Sequence, residues 1–349
     1  MNEKYAEVFH QMEETFAKRI KEERYPAMGY TSNLDLLCDF NVDTLNRLLE
    51  QYVPNEKLED MEVAKSIRTM EDLLHSLVYY CSHGIGGEVD VENTQVMADS
   101  FQWKYGMGGT AVQAAMALSA VGCPSIVHLT DDSKEVCDIL DSPYIYTISK
   151  DGRMIHTSEC EQTAEQEIHY IIQFKKGDVI RLGSQEAVIP TSNRMIVTKI
   201  TVNEYVPFSE PYFHFIEEHS EKISSNVLSS FNALSDPALL KERLEYVKEH
   251  VHKYKKGNPS GIVFFEDAHY HSTQVRNTCL ETIYSECDIV SLNEEELAYT
   301  LKSFGFDVVI EDIISCVEGA IFIRNKFGVK KGIVVHTANY AMYVGDKLE

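Results

Sequence analysis

From Cys123 onward, short apolar segments alternate with segments of helical periodicity, and this alternation constrains the fold more than any other feature. Strands that alternate with helices pair in parallel through right-handed crossovers. The pattern therefore predicts a doubly wound α/β domain. The predicted strands are 125–129, 144–149, 168–174, 195–200, 226–231, 261–266, 288–292, 320–323, 332–335 and 340–344, and the predicted later helices are 237–255 and 275–285.

Two earlier segments, residues 3–24 and 58–80, have the apolar spacing of amphipathic helices. We expect the first to pack on a part of the protein that follows it in the chain. In residues 146–194, strand signals alternate with charged turns and no helical pattern intervenes, which indicates antiparallel hairpins. No Pro/Gly/Ser-rich linker separates these parts, so an inserted lid is favoured over two domains in series.

The length and composition permit a sizeable core, with 349 residues of which 44% are hydrophobic. The predicted organisation is a large α/β domain and a smaller, mainly β lid domain. The large domain comprises residues 1–45, 105–145 and 195–349, and the lid comprises residues 46–104 and 146–194.

The charge of the chain restricts its partners. It carries 32 basic and 55 acidic residues, a net charge of −23, which repels nucleic acid and anionic lipid. We therefore expect no nucleic-acid partner and no membrane partner. No apolar run approaches ~18 residues and the N-terminus does not read as a signal peptide, which predicts a cytoplasmic protein. The eight cysteines form no CxxC pair, so buried reduced thiols are expected.

A glycine-rich turn, residues 106–109, directly precedes an alanine-rich helix that begins near Thr110. The first N–H groups of such a helix have no partner within it and can bind anions or hydroxyls. Gly106-x-Gly108-x-x-Ala111 formally satisfies the dinucleotide-binding pattern, although the segment before it is half polar. The alternative is the floor of a pocket in which a polar substrate lies against bare backbone.

Polar side chains occur near other strand ends. Asn33 and Asp35 alternate with their neighbours, so both should leave the same face at the end of a strand. An amide beside a carboxylate suits neighbouring sugar hydroxyls, because the pair offers donor and acceptor together. Glu88 follows a flexible glycine segment. Residues 293–296 follow a buried strand, and they form either an N-cap with an acidic first turn or a site for hydrated Mg²⁺ against a phosphate.

Taken in order, Asn33-x-Asp35, Gly108-Gly109 and Asn293-x-x-Glu296 resemble the ADP-dependent glucokinase and phosphofructokinase family. The resemblance covers roughly residues 28–344 and implies a ribokinase-like three-layer α/β/α domain with an inserted lid. It implies phosphoryl transfer from ADP to a hydroxyl of a hexose or hexose phosphate, with Mg²⁺ or another divalent cation as cofactor. We expect a monomer or a homodimer.

On the acceptor side, the resemblance implies that Asn33 and Asp35 hold the sugar hydroxyls and that Gly108 and Gly109 present backbone to the sugar. Glu88 matches the carboxylate that contacts the sugar in glucose-using members, which favours glucose over fructose 6-phosphate. The remaining matches on this side are Thr110, which stands where many members carry Gln, and His169, which resembles a lid-strand histidine facing the sugar.

On the phosphoryl side, the resemblance makes Arg194 the residue that stabilises charge on the group in transfer. It assigns Asn293 and Glu296 to an element that organises Mg²⁺ through water. Glu266 matches the carboxylate of a His-x-Glu element, with Phe264 at the histidine position. The last matches, before the adenine pocket, are His336 and Thr337.

The family's Gly-x-Gly-Asp element opens a helix and carries the catalytic base, and it would follow His336-Thr337. No such element occurs before Glu349, and Val344-Gly345-Asp346 is expected to be a hairpin turn. We therefore expect an ADP-dependent sugar kinase whose chain is C-terminally incomplete. The alternatives are a sugar-binding pseudokinase without turnover and, more remotely, an NAD-dependent dehydrogenase.

Overall fold

A computed structural model of the chain describes residues 3–162, 165–270 and 272–347. The chain divides into two compact units. The large unit comprises Met1–Ser32, Gly109–Ala164 and Val202–Glu349, and the small unit comprises Asn33–Gly108 and Glu165–Thr201. No helix within the described ranges combines the length and the apolar character needed to cross a membrane.

The helices and strands are numbered separately, each in chain order. The helices are α1 (Glu3–Lys21), α2 (Val42–Tyr52), α3 (Met70–His83), α4 (Thr94–Ser100), α5 (Thr110–Ala120), α6 (Lys134–Ile139), α7 (Glu210–Glu218), α8 (Pro237–Gly257), α9 (Thr273–Ile283), α10 (Glu294–Lys302) and α11 (Ile313–Phe327). The strands are β1 (Tyr25–Met28), β2 (Asn33–Cys38), β3 (Gly87–Asp90), β4 (Trp103–Gly108), β5 (Ser125–Val127), β6 (Ile145–Ile148), β7 (Met154–His156), β8 (Ile168–Phe174), β9 (Val179–Leu182), β10 (Gln185–Val188), β11 (Asn193–Lys199), β12 (Ile223–Leu228), β13 (Ile262–Glu266), β14 (Ile289–Asn293), β15 (Gly332–His336) and β16 (Ala341–Gly345).

The large unit is built on a nine-stranded sheet in the order β16-β15-β14-β13-β12-β1-β5-β6-β7. The neighbouring strands from β15 to β6 pair in parallel, whereas β16 and β7 add antiparallel edges. The alternation of strands and helices thus produces the predicted doubly wound α/β sheet. Its core includes fully buried aromatic side chains such as Tyr30, Phe213 and Phe265.

The small unit is built on a five-stranded sheet in the order β3-β11-β8-β2-β4, with a separate β9–β10 hairpin. Alternate residues of its strands are buried, including Leu34, Ile172 and Met195. Their neighbours in sequence point to the opposite face, which carries Asp35, His169 and other polar or partly exposed residues. We call this second surface the open face.

The predicted domain boundaries differ from the observed units, because sheet pairing decides the assignment. Residues 146–162, predicted to lie in the lid, pair through β6 and β7 with the large sheet. In contrast, β2, β4 and β11 belong to the small sheet, although much of their sequence was assigned to the large domain. The hairpin character predicted for this part of the chain is found in β6–β7, β8–β11 and β9–β10.

The predicted helix over 58–80 is wrong in its first half. The helix begins only at Met70, because Thr69 caps it: Thr69 Oγ1 accepts from the N–H of Asp72 at 3.2 Å, and the Asp72 carboxylate accepts from the N–H of Thr69 at 3.0 Å. Before the cap, Leu58–Asp60 form a short 3₁₀ helix, and Ile67 forms an isolated β-bridge with Val91. The capping box therefore overrides the apolar spacing.

The predicted strand over 320–323 is also wrong, since these residues lie inside α11. Asp312 caps the start of that helix, and Gly328, with φ of 70°, follows its end. A short apolar run cannot by itself distinguish a buried strand from a buried stretch of helix.

Two predicted turns are strands. Gly106 and Gly108 lie within β4, which pairs antiparallel with β2. The first two glycines of the dinucleotide pattern are therefore in a strand and not in the turn before the helix, and the dehydrogenase alternative loses its motif. Val344 and Gly345 lie in β16, and the turn of that hairpin is formed earlier, by residues 337–340.

Helix α1 has the predicted amphipathic sequence, but only part of its apolar stripe is covered: Met12 and Phe16 are partly buried. Its apolar residues Val8, Phe9 and Ile20 are 45%, 50% and 45% exposed. The periodicity therefore predicts the helix correctly but overestimates the burial of its apolar residues.

Candidate functional site

Three predicted acceptor-side residues form one hydrogen-bonded group on the open face of the small unit, which we call the β2–β8 cluster (Asn33, Asp35 and His169). The Asn33 amide nitrogen lies 2.7 Å from Asp35 Oδ1 and 3.1 Å from His169 Nδ1. His169 Nδ1 is 3.8 Å from Asp35 Oδ1. The prediction that Asn33 and Asp35 share a face is confirmed, but they begin a strand rather than end one.

The hydrogen-bond network determines what this cluster offers to a ligand. Both amide hydrogens of Asn33 are used, one toward Asp35 and one toward His169 Nδ1, which assigns the neutral imidazole proton to Nε2. Among the described residues, Asn33 Oδ1, Asp35 Oδ2 and His169 Nε2 have no hydrogen-bond partner. The cluster therefore presents two acceptors and one donor.

Gly108 lies opposite Asn33 in the pairing of β4 with β2. A Cβ atom at this position would overlap with Asn33 Nδ2 and Asp35 Oδ1. Only glycine therefore lets the amide–carboxylate pair lie over the β4 backbone. The sequence predicted a close approach of a ligand here, and the structure shows a close approach of the cluster's own side chains.

The electrostatics of Asp35 reflect its burial. Burial raises the pKa of the carboxyl above its ordinary value, while His169, the Asn33 hydrogen bond and the charge of Arg194 act in the opposite direction. Arg194 is exposed, and its backbone N–H donates to Asn193 Oδ1 at 2.9 Å. Among the described residues, its guanidinium has no hydrogen-bond or ion-pair partner.

Glu88 also lies on the open face, on β3. Its carboxylate accepts from the Thr198 hydroxyl at 2.6 Å. Thr198 lies opposite His169 in the β8–β11 pairing, which places Thr198 in the same row as Asp35 and His169. Thr198 was missed by sequence reasoning, since only the long-range strand register brings it beside Glu88.

Gly109 and Thr110 lie at the start of α5 in the large unit. Gly109 is the N-cap residue with φ of 95°, and no side chain caps the helix. A Cβ atom on Gly109 would overlap with the carbonyl oxygen of Thr31. Thr110 is the first helical residue and is exposed. Thus the predicted helix start is correct, and its first backbone N–H groups have no side-chain cap.

A second group lies at the carboxyl ends of β13, β14 and β15 in the large unit, which we call the strand-end cluster (Glu266, Asn293, Glu296 and His336). His336 Nε2 is 3.0 Å from Glu266 Oε1. The histidine beside Glu266 therefore comes from β15, whereas Phe264 occupies the expected position on β13. These residues lie at the ends of parallel neighbouring strands or, for Glu296, in the first turn of the helix that follows β14, a region where α/β folds bind ligands.

Asn293 and Glu296 form the capping box of α10, the first of the two arrangements that the sequence allowed. Asn293 Oδ1 accepts from the N–H of Glu296, and Glu296 Oε2 accepts from the N–H of Asn293, both at 2.8 Å. Burial, together with the charges of Asp267 and Glu266, raises the pKa of Glu296 to about 6. Within the described residues, no group of three or more His, Cys, Asp or Glu side chains has the geometry of a metal site.

Asp267 was not predicted, although it directly follows Glu266 in the sequence. It is 6% exposed, and its carboxylate accepts from the Tyr284 hydroxyl at 2.5 Å. Burial raises the pKa of this carboxyl. Its acidic character beside Glu266 is visible in the sequence, but its burial and its bond from Tyr284 depend on tertiary packing and could not be predicted.

Thr337 has a structural role in the β15–β16 turn. Its hydroxyl accepts from the N–H groups of Asn339 and Tyr340, each at 3.0 Å. Its N–H donates to the carbonyl of Tyr340 at 2.8 Å. The nucleotide contact implied for Thr337 and His336 stays a prediction.

The order of these residues and the two sheets point to one family, and comparison with known proteins decides it. A family model described as the ADP-specific phosphofructokinase/glucokinase conserved region matches residues 25–348. The chain belongs to this family. The predicted resemblance is thereby confirmed.

Two curated relatives represent both branches of the family. The ADP-dependent glucose/glucosamine kinase of Pyrococcus abyssi is 28% identical over 285 residues, which cover 79% of this chain and 61% of the relative. The ADP-specific phosphofructokinase of Thermococcus zilligii is 24% identical over 340 residues, which cover 90% of this chain and 73% of the relative. The chain thus spans between three fifths and three quarters of their length.

Solved structures agree on the fold. A structure titled as a hypothetical ADP-dependent phosphofructokinase from Pyrococcus horikoshii has a TM-score of 0.72 at 20% identity, covering 92% of this chain and 75% of that one. An adenosine kinase from Anopheles gambiae has a TM-score of 0.51 at 13% identity, covering 93% and 80%. The predicted ribokinase-like α/β fold is confirmed.

Proposed function

We propose that this chain acts in the transfer of the β-phosphoryl group of ADP to a hydroxyl of a hexose or hexose phosphate, which gives AMP and a sugar phosphate. The β2–β8 cluster is the observation that carries this proposal. A sugar hydroxyl both donates and accepts, and the cluster offers acceptors at Asn33 and Asp35 beside a donor at His169. Both curated relatives are named as sugar or sugar-phosphate kinases.

Glucose is the favoured acceptor. Glu88 adds a carboxylate to the open face, where the Thr198 hydroxyl holds it at 2.6 Å. A carboxylate can accept hydrogen bonds from neutral sugar hydroxyls, whereas it repels the phosphate of fructose 6-phosphate. The name of the Pyrococcus abyssi relative, a glucose/glucosamine kinase, supports the same choice.

The phosphoryl side of the reaction is assigned by chemistry. Arg194 offers a permanent positive charge and a planar set of donors, which suits a phosphoryl group in transfer. The N-terminal end of α5, with Gly109 and Thr110, offers backbone N–H groups to hydroxyl or anionic oxygens. His336 and Thr337 are assigned to the nucleotide.

The strand-end cluster fits a hydrated divalent cation. Glu266, Asn293 and Glu296 provide oxygen atoms that can hold a hydrated Mg²⁺ through its water ligands. Burial, together with the charges of the neighbouring carboxylates, raises the pKa of Glu296 to about 6, so a cation would relieve the repulsion between these carboxylates. When bound, Mg²⁺ would neutralise charge on the phosphates of ADP.

The proposal is tested by calorimetry with glucose and by phosphorus NMR of the chain with ADP, MgCl₂ and glucose. We expect glucose binding and the formation of AMP and a glucose phosphate. Asp35→Ala should weaken glucose binding about a hundredfold, because a charged acceptor and its bond to Asn33 are lost. Asp90→Ala is the matched control, since Asp90 lies in the same row of the open face on β3.

Absence of glucose binding by the folded chain, or equal affinity in Asp35→Ala, would contradict the assignment of the β2–β8 cluster. Binding without AMP formation would support a sugar-binding protein without turnover. Stronger binding of fructose 6-phosphate than of glucose would contradict the role given to Glu88.

A further inference from the structure

A buried carboxylate, Glu167, lies next to the β2–β8 cluster in the chain but outside it. Glu167 directly precedes β8 and stands two residues before His169. Its exposed fraction is 1%. A buried carboxylate is costly unless hydrogen bonds compensate its lost hydration, so its partners indicate what it does.

Glu167 joins the ends of three strands within the small unit. Its carboxylate oxygen Oε2 accepts from the backbone N–H of Thr201 at 2.6 Å and from the Thr201 hydroxyl at 2.9 Å. Its carbonyl oxygen accepts from the N–H of Leu34 at 2.8 Å. Thr201 closely follows β11, Leu34 lies in β2, and Glu167 itself leads into β8.

These bonds act on the backbone that carries the β2–β8 cluster. Leu34 lies between Asn33 and Asp35 in the chain. The bond from its N–H to Glu167 therefore fixes the backbone between these two cluster residues, at the start of β2. Glu167 also anchors the start of β8, two positions before His169. In the parallel pairing of β2 with β8, Leu34 lies opposite Ile168 and Asp35 lies opposite His169. Glu167 is therefore next in the chain to the paired residues that bring the Asp35 carboxylate beside the His169 imidazole.

We propose that Glu167 is a positioning residue for sugar binding: it does not touch the sugar, but it holds Asn33, Asp35 and His169 in the arrangement that receives it. This inference rests on the proposed function, because it takes the β2–β8 cluster as the sugar site. Sugar affinity depends on polar groups held within a fraction of an ångström of their productive positions.

The test compares two variants of Glu167 in the full chain. Glutamine can place its carbonyl oxygen at the position of Oε2, the atom that accepts both bonds from Thr201, so Glu167→Gln should keep these two bonds. Alanine removes the acceptor and leaves both Thr201 donors without it. We expect Glu167→Ala to weaken glucose binding by about tenfold or more and Glu167→Gln to change it by less than about threefold.

A second variant covers the case in which Glu167→Ala does not fold. Thr201→Val removes the hydroxyl bond and keeps the bond from the backbone N–H, so glucose affinity should fall by about threefold. Equal affinity in Thr201→Val and in the unmodified chain would overturn the proposal, as would wild-type affinity in folded Glu167→Ala.

The tautomer of His169 gives a readout that a general loss of stability would not change. The side-chain nitrogen chemical shifts of His169 should report the Nε2–H form in the unmodified chain and in Glu167→Gln, because Asn33 donates to Nδ1. A mixture of tautomers is expected in Glu167→Ala. Unchanged shifts in that variant would overturn the proposal.

This readout also separates the two hypotheses. If Asp35→Ala leaves glucose binding intact, the assignment of the sugar site fails, while the tautomer measurement still decides whether Glu167 orders the cluster. If Asp35→Ala abolishes binding and Glu167→Ala has no effect on affinity or tautomer, only the inference about Glu167 fails.

Discussion

The β2–β8 cluster and the strand-end cluster hold their carboxylates in opposite ways. Around Asp35, burial raises the pKa, and the nearby groups His169, Asn33 and Arg194 all favour the charged form. Around Glu296, burial also raises the pKa and the charges of Asp267 and Glu266 reinforce it, while the bond from the N–H of Asn293 and the nearby His336 act in the opposite direction. The first cluster is satisfied by its own neighbours and suits a neutral ligand with hydroxyl groups. The second concentrates negative charge and suits a cation.

The largest effect is expected for Arg194→Ala, which tests whether the small unit serves only sugar binding. Arg194 lies on the same sheet as the β2–β8 cluster, but its guanidinium is assigned to the phosphoryl group. An arginine that stabilises charge in phosphoryl transfer contributes a factor on the order of a thousand or more to kcat. We therefore expect kcat to fall by that order in steady-state assays, while calorimetric glucose affinity stays unchanged.

Arg181→Ala is the matched control for Arg194→Ala. Arg181 is an exposed strand arginine of the same unit, and its guanidinium is paired with Glu186 at 2.8 Å. Its loss should leave kcat unchanged. If Arg194→Ala instead lowers glucose affinity and leaves kcat unchanged, Arg194 binds the sugar. The assignment of its guanidinium to the phosphoryl group would then be wrong.

A smaller effect is expected from a methyl group placed under the β2–β8 cluster. In Gly108→Ala the added Cβ would overlap with Asn33 Nδ2 and Asp35 Oδ1, so the amide–carboxylate pair must shift. We expect glucose affinity to fall about tenfold in calorimetry, since one or two hydrogen bonds of the cluster are misplaced. The strand-end cluster should be unaffected, so the pH dependence of stability should stay as in the unmodified chain.

Gly106→Ala provides the control on the same strand. Its added Cβ would have Leu37 Cδ1 as nearest neighbour, at 3.5 Å, which is an ordinary contact. Affinity should therefore be retained. Equal losses in the two variants would show that β4 tolerates no side chain at either position and that the cluster is not the cause.

Sequence patterns predicted the fold best where a strand or helix is determined by residues close together in the chain. The apolar segment 168–174 coincides with β8, and the alternation after Cys123 gave the correct parallel sheet. These patterns failed where long-range pairing decides, as in residues 146–162, which join the large sheet through β5. They also failed where a local cap competes with apolar spacing, as at Thr69.

The predicted site residues fall into the two clusters for different reasons. Asn33 and Asp35 were found because a two-residue spacing places side chains on one face of a strand. Their bond to His169 could not be predicted, because it depends on the register between β2 and β8. Glu167 has no signal in the sequence, since its carboxylate resembles any of the 55 acidic residues until its burial is known.

The smallest predicted effect concerns the pH dependence of stability in the strand-end cluster. The pKa of Glu296 is raised from its ordinary value of 4.5 to about 6. This carboxyl binds its proton more tightly in the folded chain than in the unfolded chain. The free energy of unfolding therefore decreases as the pH rises through this interval, and the decrease is complete above it. Glu296→Gln removes this loss and keeps an oxygen that can accept from the N–H of Asn293. Its free energy of unfolding should exceed that of the unmodified chain by about 1 kcal/mol at pH 7.5 and by only a small fraction of this at pH 4.5.

Urea unfolding at both pH values measures this difference, with Glu295→Gln, an exposed neighbour on the same helical turn, as the control that should show none. Saturating MgCl₂ then sharpens the contrast between the clusters. A cation held by the strand-end carboxylates favours the charged form of Glu296, so it should stabilise the unmodified chain at pH 7.5 more than Glu296→Gln. The same stabilisation in both would mean that Glu296 serves only as the helix cap, and a gain that is equal at both pH values would mean that its carboxyl titrates normally.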